Sequence, residues 1–377
     1  MKSVFWISFG YILYVYVGYP LVLSIAARFS QPGKKDLNWF PTVSLIIAAH
    51  NEEDVLQDKL ENSLKIDYPR DRLEVIVVSD GSTDNTSTIA RSFSQEGILL
   101  HEIVPRGGKT RALNLAVNTV SSDILVLSDA NTMYQPDALR KLVRHFADST
   151  VGAVSGDVRL VNAADTHAFS ETIYYHYERW LQGLGSRVCS MIGTDGGMYA
   201  ISRKLFQRPS DTIILDDFVI SMNVARAGYR VVYELEAVAL EKGTPTSLEE
   251  FRRKIRIVAG GLQALKLGEG LPKVNQPLLI FCYLSHKLFR WLVPVFLILL
   301  FTVALVLSAE RIYFLAFGGQ VLFYGGAILY AKNALGLQNV KWMGISYYFS
   351  LVNYAALMGL WKELMGSETV LWQRTSR

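Results

Sequence analysis

Two cysteines in 377 residues cannot build a disulfide framework, and Cys189 and Cys282 stand far apart, in contexts that read as buried or lipid-facing thiols. Charge is scarce as well. Only 19% of the residues are Asp, Glu, Lys or Arg, against roughly 25% in an average soluble domain. The 38 basic and 34 acidic residues nearly cancel, and a net charge of +4 provides no strong positive field, so no nucleic-acid partner is expected. With 50% hydrophobic residues, composition also argues against a disordered chain.

The apolar surplus falls in blocks. Val4 to Ala27 carries no charge and reaches the roughly 20 residues that cross a bilayer core. A secretory signal has a shorter apolar core of about 7–15 residues, and Ala26-Ala27 is a weak cleavage site, so residues 1–30 read as an uncleaved anchor. From 31 to 247 the composition is that of a soluble α/β domain. Residues 248–292 read as interfacial amphipathic helices, because His286, Lys287, Arg290 and Trp291 interrupt an apolar stretch at helical spacing. Val293–Ser308, Ile312–Ala331 and Trp342–Trp361 are three further membrane-helix candidates within 293–361, followed by a tail at 362–377. Arg28, Lys34 and Lys35 follow the first block whereas only Lys2 precedes it, which predicts a cytoplasmic middle domain. Three more spans would then place Trp372, Arg374 and Arg377 outside, against the usual distribution of cations. Either the last block does not cross, or the rule fails here.

Within the middle domain, Val43–Ala48, Glu74–Ser79 and Asp123–Leu127 are short strand-like runs, and Glu52–Leu64 has helical periodicity. That alternation predicts a mostly parallel sheet with helices on both faces and ligands at the carboxyl ends of the strands. The strand ends are polar: His50-Asn51-Glu52, Asp80-Gly81-Ser82-Thr83-Asp84 and Ser128-Asp129-Ala130-Asn131. Acids at such ends suit a nucleotide and a hard cation, with Asp80 accepting from a base or ribose and Asp129 ligating Mg²⁺ or Mn²⁺ at a diphosphate. Aspartates also cap turns and helices, and capping is the preferred reading for Asp84. Arg106-Gly107-Gly108-Lys109-Thr110 places a glycine pair and a cation at a helix start, where backbone N–H groups and Lys109 meet a phosphate; it lacks P-loop spacing.

These ordered runs, PTVSLIIAAHNEE, DYPRDRLEVIVVSDGSTDNT, GGKTRALN and LVLSDANT, resemble the nucleotide-sugar half of the family 2 inverting glycosyltransferases of GT-A fold. The resemblance extends from about Pro41 to Gln263, and flanking apolar blocks fit the membrane-embedded branch that includes cellulose, hyaluronan and poly-N-acetylglucosamine synthases. It implies that Ala49, Glu52 and Asp80 line the base and ribose, that Lys109 neighbours the diphosphate, and that Asp129 opens the metal-binding Asp-x-Asp motif. Asn131 stands where the second acid is expected, an oxygen donor without charge. Gly193-Thr194-Asp195-Gly196-Gly197 is similar to the loop beneath the acceptor sugar, although a tight turn explains each glycine nearly as well.

In Leu215-Asp216-Asp217-Phe218, two acids at a helix start suit the helix dipole. Inversion also requires a base that takes the acceptor hydroxyl's proton, and the family pattern assigns that role to Asp217 with Asp216 in support. The family's Gln-x-x-Arg-Trp maps onto Arg253, Arg256 and Ile257, so Arg256 keeps the cation that faces the leaving diphosphate, while contact with anionic lipid remains the alternative. Losing the tryptophan platform weakens the case for processive synthesis and keeps open a single transfer to a lipid-linked acceptor. Leu371–Arg377 resembles the Trp-x-x-Thr-x-Arg ending of some membrane members.

The implied protein is a hexosyl- or N-acetylhexosaminyltransferase of an inner (plasma) membrane, with its catalytic domain in the cytoplasm. It would use a UDP-sugar, Mg²⁺ or Mn²⁺, membrane lipids and a glycan or lipid-linked acceptor in polysaccharide biosynthesis. A nucleotidyltransferase would leave Asp216 and Asp217 without work, and a transporter would need more polar groups inside its spans than Asn353 supplies.

Overall fold

A computed structural model describes residues 1–30, 33–161, 168–242, 246–332 and 340–366. The chain opens with Lys2–Leu13 (α1) and Tyr19–Ala27 (α2), joined by one π-helical turn. A strand–helix alternation follows: Val43–Ala49 (β1), Glu53–Leu64 (α3), Leu73–Asp80 (β2), Thr86–Ser92 (α4), Ile98–Ile103 (β3), Lys109–Val117 (α5) and Ile124–Asp129 (β4). Next come Thr132–Tyr134 (β5), Ala138–Val143 (α6), Val151–Val161 (β6), Ala168–Val188 (α7), Met198–Ser202 (β7), Asp216–Arg226 (α8), Arg230–Lys242 (β8) and Ser247–Leu267 (α9). Pro277–Tyr283 (α10), Phe289–Val306 (α11), Arg311–Ala331 (α12) and Lys341–Met365 (α13) complete the described chain.

The strands form one mixed sheet in the order β3-β2-β1-β4-β7-β6-β8-β5. Its first four strands are parallel, and the register sets Ala49 beside Ser79 and Ala48 beside Asp129. The polar strand ends therefore share one edge, as the βα alternation predicts. Side chains alternate between two apolar layers. Ile46, Ala48, Ile76, Val78, Leu125 and Leu127 face one, and Leu45, Ile47, Val75, Val77, Ile124 and Val126 the other.

The first layer also receives Tyr19 and Leu23 of α2 and Leu279, Cys282 and Tyr283 of α10, with Cys189 packed against it. The amino-terminal helix and α10 are thus built into the core of the sheet domain. Both cysteines are free thiols in this setting.

Among the described residues, three helices are long and apolar enough to cross a membrane: Lys2–Ala27, Pro277–Val306 and Arg311–Ala331. The expected division at 292 falls inside the second, which runs unbroken through a π-helical turn at Leu284–Leu288. Its polar interruption has a partner within the protein. Arg290 and His286 both pair with Glu178 of α7, the latter at 3.5 Å. The expected Trp342–Trp361 block is helical within α13, which is not apolar enough to join those three. Instead α13 lies along α9: Tyr354 stacks on Phe251 with centroids 5.3 Å apart, Tyr348 donates to Glu250, and Lys266 reaches Glu363. The Leu371–Arg377 motif lies outside the described residues.

Candidate active site

The turns after β1 and β2 are laced together. Asn51 adopts a left-handed φ of 54° and accepts from the Thr83 N–H at 2.8 Å, while His50 Nδ1 meets the Asp80 carbonyl at 2.7 Å. Glu52 occupies the N-cap position of α3 and is only 2% exposed, its N–H donating to the Thr86 hydroxyl. Asp84 does the capping expected of it, accepting from Thr86 N and Glu53 N. Ala49, the last residue of β1, is buried beneath these turns.

Asp80 does more than face a crevice. Its two carboxylate oxygens accept the Gly107 and Gly108 N–H groups at 2.8 and 2.7 Å, which fixes the glycine pair leading into α5. Gly108 takes φ 94°, a conformation that strains any residue with a Cβ. α5 then begins at Lys109. The Lys109 ammonium reaches across the sheet edge to Asp129 Oδ1 at 2.6 Å and lies 3.7 Å from Asp216 Oδ2. Burial opposes that charge, yet Asp129, Asp216 and Asp217 together hold the ammonium well above its ordinary range.

Asp216 and Asp217 are the first two residues of α8. Asp217 Oδ1 accepts the Phe218 N–H at 2.8 Å, and a Cβ placed on Gly196 would lie 3.1 Å from Asp217 Oδ2 and 3.4 Å from Lys109 Nζ. Glycine at 196 is what lets that loop approach both groups. Burial, then the neighbouring Asp216 charge, pushes the Asp217 carboxyl up to about 7, with Lys109 opposing. Asp195 accepts from Gly197 N, and burial raises its carboxyl too. Lys109, Asp129, Gly196 and the adjacent Asp216 and Asp217 therefore converge from four separate places in the sequence, with Asp195 closing the loop beside them.

The basic run on α9 is arranged differently from the expectation. Arg253 and Lys254 both pair with Glu250, at 3.0 and 3.3 Å, and Arg253 also donates to the Tyr175 hydroxyl. Against the effect of burial, these two cations hold Glu250 down to about 2. Arg256 sits half-buried one turn on. Asn131 donates to Glu241 Oε1 at 2.8 Å.

One contributor had a sequence signal that composition hides. Lys59 occupies the apolar stripe of α3 with Leu56, Leu60 and Ser63, is fully buried, donates to the Thr132 carbonyl, and lies 4.0 Å from the Tyr134 ring centroid. Burial pushes its ammonium down to about 7, Asp129 opposing. It supports the short strand that follows Asp129 and Asn131.

A carboxylate at a helix start beside a small-residue loop, a cation bridging the acid at the end of β4 and the acid that opens α8, and polar strand ends along one edge of a parallel sheet suit transfer of a group from an activated phosphate ester. The family described as "Glycosyltransferase like family 2" matches residues 41–260. Among curated proteins, one called "Probable glycosyltransferase YdaM" from Bacillus subtilis (strain 168) is 29% identical over 241 residues, 60% of this chain and 57% of that protein. The poly-beta-1,6-N-acetyl-D-glucosamine synthase of Staphylococcus aureus (strain MSSA476) is 26% identical over 246 residues, 63% of this chain and 59% of that protein. These matches thus span less than two thirds of the relatives' length. In fold, the chain is similar to the mannosyltransferase PcManGT from Pyrobaculum calidifontis, solved with GDP-Man and Mn²⁺, at a TM-score of 0.73 and 24% identity over 97% of this chain and 100% of that one. With the family matching from the start of β1 into α9, across every residue of the converging site, the chain belongs to glycosyltransferase family 2.

Proposed function

We propose that this glycosyltransferase inverts configuration at the anomeric carbon, moving a sugar from a nucleoside diphosphate, UDP foremost, to a hydroxyl of a membrane-associated glycan or lipid-linked acceptor. The observation that carries the reading is Asp217, a carboxylate at about 7 standing against Gly196 and the Lys109–Asp129 pair. A base of that strength is ionised in a useful fraction at neutral pH and still takes a proton from a hydroxyl as the glycosidic bond opens. Asp217 accepts the acceptor proton, while Asp195, Gly196, Asp216 and Arg253 shape the acceptor side. Ala49, Glu52 and Asp80 hold the base and ribose, directly or through the Gly107-Gly108 turn that Asp80 fixes. Lys109 and Arg256 meet the diphosphate as negative charge gathers on it.

A divalent cation suits the donor set in kind. Asp129 and Asn131 offer hard oxygens, and Asp216 Oδ2 is a buried carboxylate oxygen with no hydrogen-bond partner. Among the described residues no group of three His, Cys, Asp or Glu is placed to hold a metal ion by itself, so nucleotide and water oxygens would complete the coordination. When bound, Mg²⁺ or Mn²⁺ supplies charge neutralisation for the leaving diphosphate.

The three apolar helices support residence in a membrane, and Arg28, Lys34 and Lys35 beside the first support a cytoplasmic site in a bacterial plasma membrane. Ile257 in place of an aromatic platform favours single transfer over processive polymerisation. The test is nucleotide release from a panel of UDP- and GDP-sugars by the purified protein with Mn²⁺ and membrane lipid, followed by mass spectrometry of the product. Asp129→Ala should weaken metal-dependent donor binding. Intact protein that releases no nucleotide from any donor would refute the reading.

Gly196→Ala tests the acceptor loop. The added methyl would crowd Asp217 and Lys109 at 3.1 and 3.4 Å, so the rate should fall about tenfold or more at nearly unchanged thermal midpoint. A parental rate in this variant would remove the loop from the site.

A further inference from the structure

Position 131 carries an amide where the family resemblance expects a second metal-binding acid, and the sheet sets an acid beside it. Asn131 Nδ2 donates to Glu241 Oε1 at 2.8 Å. Glu241 belongs to β8 and stands directly across from Thr132 in the antiparallel β5/β8 pair. The β5/β8 register thus brings Glu241 next to the residue that follows Asn131. β5 is anchored from beneath by the buried Lys59, which donates to the Thr132 carbonyl and lies over the Tyr134 ring.

We propose that Glu241 supplies the second carboxylate of the divalent-cation site, held in place by Asn131, so that the acid missing from position 131 is returned from the neighbouring strand. This rests on the reading of Asp129 as a metal-binding residue. Asp129 by itself offers one negative charge, and one of its oxygens is already 2.6 Å from Lys109. A carboxylate from Glu241 doubles the charge and adds a hard oxygen of the kind Mg²⁺ and Mn²⁺ prefer. Asparagine suits the supporting role. Its N–H₂ group donates to the ligand carboxylate and orients it, as partners of metal ligands commonly do, whereas an aspartate at 131 would set two like charges at 2.8 Å with no cation between them. The carbonyl oxygen of Asn131 remains an acceptor.

The competing role is a latch that merely ties β5 to β8. Glu241→Gln separates the two, because glutamine keeps an oxygen to accept from Asn131 and loses only the charge. The full-length protein in detergent, with saturating UDP and in parallel GDP, is titrated with Mn²⁺, and free Mn²⁺ is read from its paramagnetic resonance signal. Glu241→Gln should weaken Mn²⁺ binding by about 10–100-fold, with nucleotide affinity in metal-free buffer unchanged. Adding Asn131→Asp to that variant should restore part of the lost Mn²⁺ affinity. Mn²⁺ affinity within about twofold of the parent would leave Glu241 as a latch and overturn the proposal. An equal loss of metal-free nucleotide affinity would overturn it as well, by assigning Glu241 to the nucleotide. A parent chain that binds nucleotide but no Mn²⁺ with it would instead remove the metal role of Asp129 itself, a failure distinct from that of Glu241.

Discussion

Asp217→Asn is expected to lower the transfer rate by about 10²–10⁴-fold while nucleotide affinity stays close to that of the parent, because a general base acts on the acceptor. Asparagine preserves shape and the hydrogen bond from Phe218 N, so the fold has little reason to change. The pH profile supplies a second readout. Only the ionised carboxylate accepts the proton, so the rate should rise with pH through an apparent midpoint near the value of about 7 that burial and Asp216 impose. Removing one charge with Asp216→Asn should therefore shift it to lower pH. A loss of nucleotide affinity as large as the loss of rate would move Asp217 into the donor site. A rate in the parent that is flat from about pH 5.5 to 8.5 would dismiss it as the base.

The parallel half of the sheet is legible in the sequence because β1, β2 and β4 are short β-branched runs with nothing else to be, and their polar ends mark the ligand edge. The apolar blocks are legible for the same reason. Partnership is another matter. Lys109 meets Asp129 and Asp216 only because β4 and the start of α8 come together in the folded sheet, and no local pattern encodes that. The basic residues of α9 and α11 show the two cases. Glu250 stands three and four residues before Arg253 and Lys254, the spacing of helical ion pairs, so their neutralisation is written locally. Arg290 finds Glu178 across more than a hundred residues, and that is written only in the docking of α7 on α11. Arg253, Lys254 and Arg290 are thus paired within the protein. Glu241 is invisible for a similar reason, since its place beside Asn131 depends on the β5/β8 register. The sequence does show Lys59 in an apolar stripe; the fold supplies its carbonyl partner.

Lys109→Met should show how strongly the site depends on its one bridging cation. The methionine stem fills most of the lysine's space, but Asp129, Asp216 and Asp217 then face one another without the charge that holds them. Removing one partner of a buried ion pair costs about 3–5 kcal/mol, because the remaining charges stay desolvated. Lys109 and Asp216 are mostly buried, with side-chain exposures of 16% and 6%, so solvent screens little of it. The deficit has a predictable pH dependence. An aspartate raised from 3.8 to about 7 keeps its proton in the folded chain over an interval where the unfolded chain has lost it, so stability falls as pH rises through that interval. Without Lys109 to favour its ionised form, the Asp217 carboxyl is pushed up further and the loss deepens toward neutral and alkaline pH. The thermal midpoint of Lys109→Met, followed by tryptophan fluorescence in detergent, should lie well below the parent's at pH 8 and approach it at pH 5. Mn²⁺ with nucleotide, which brings replacement positive charge to the same acids, should recover part of the difference at pH 8. A deficit that is the same at both pH values and indifferent to Mn²⁺ would mean that Lys109 fills space in this site and does not hold its carboxylates together.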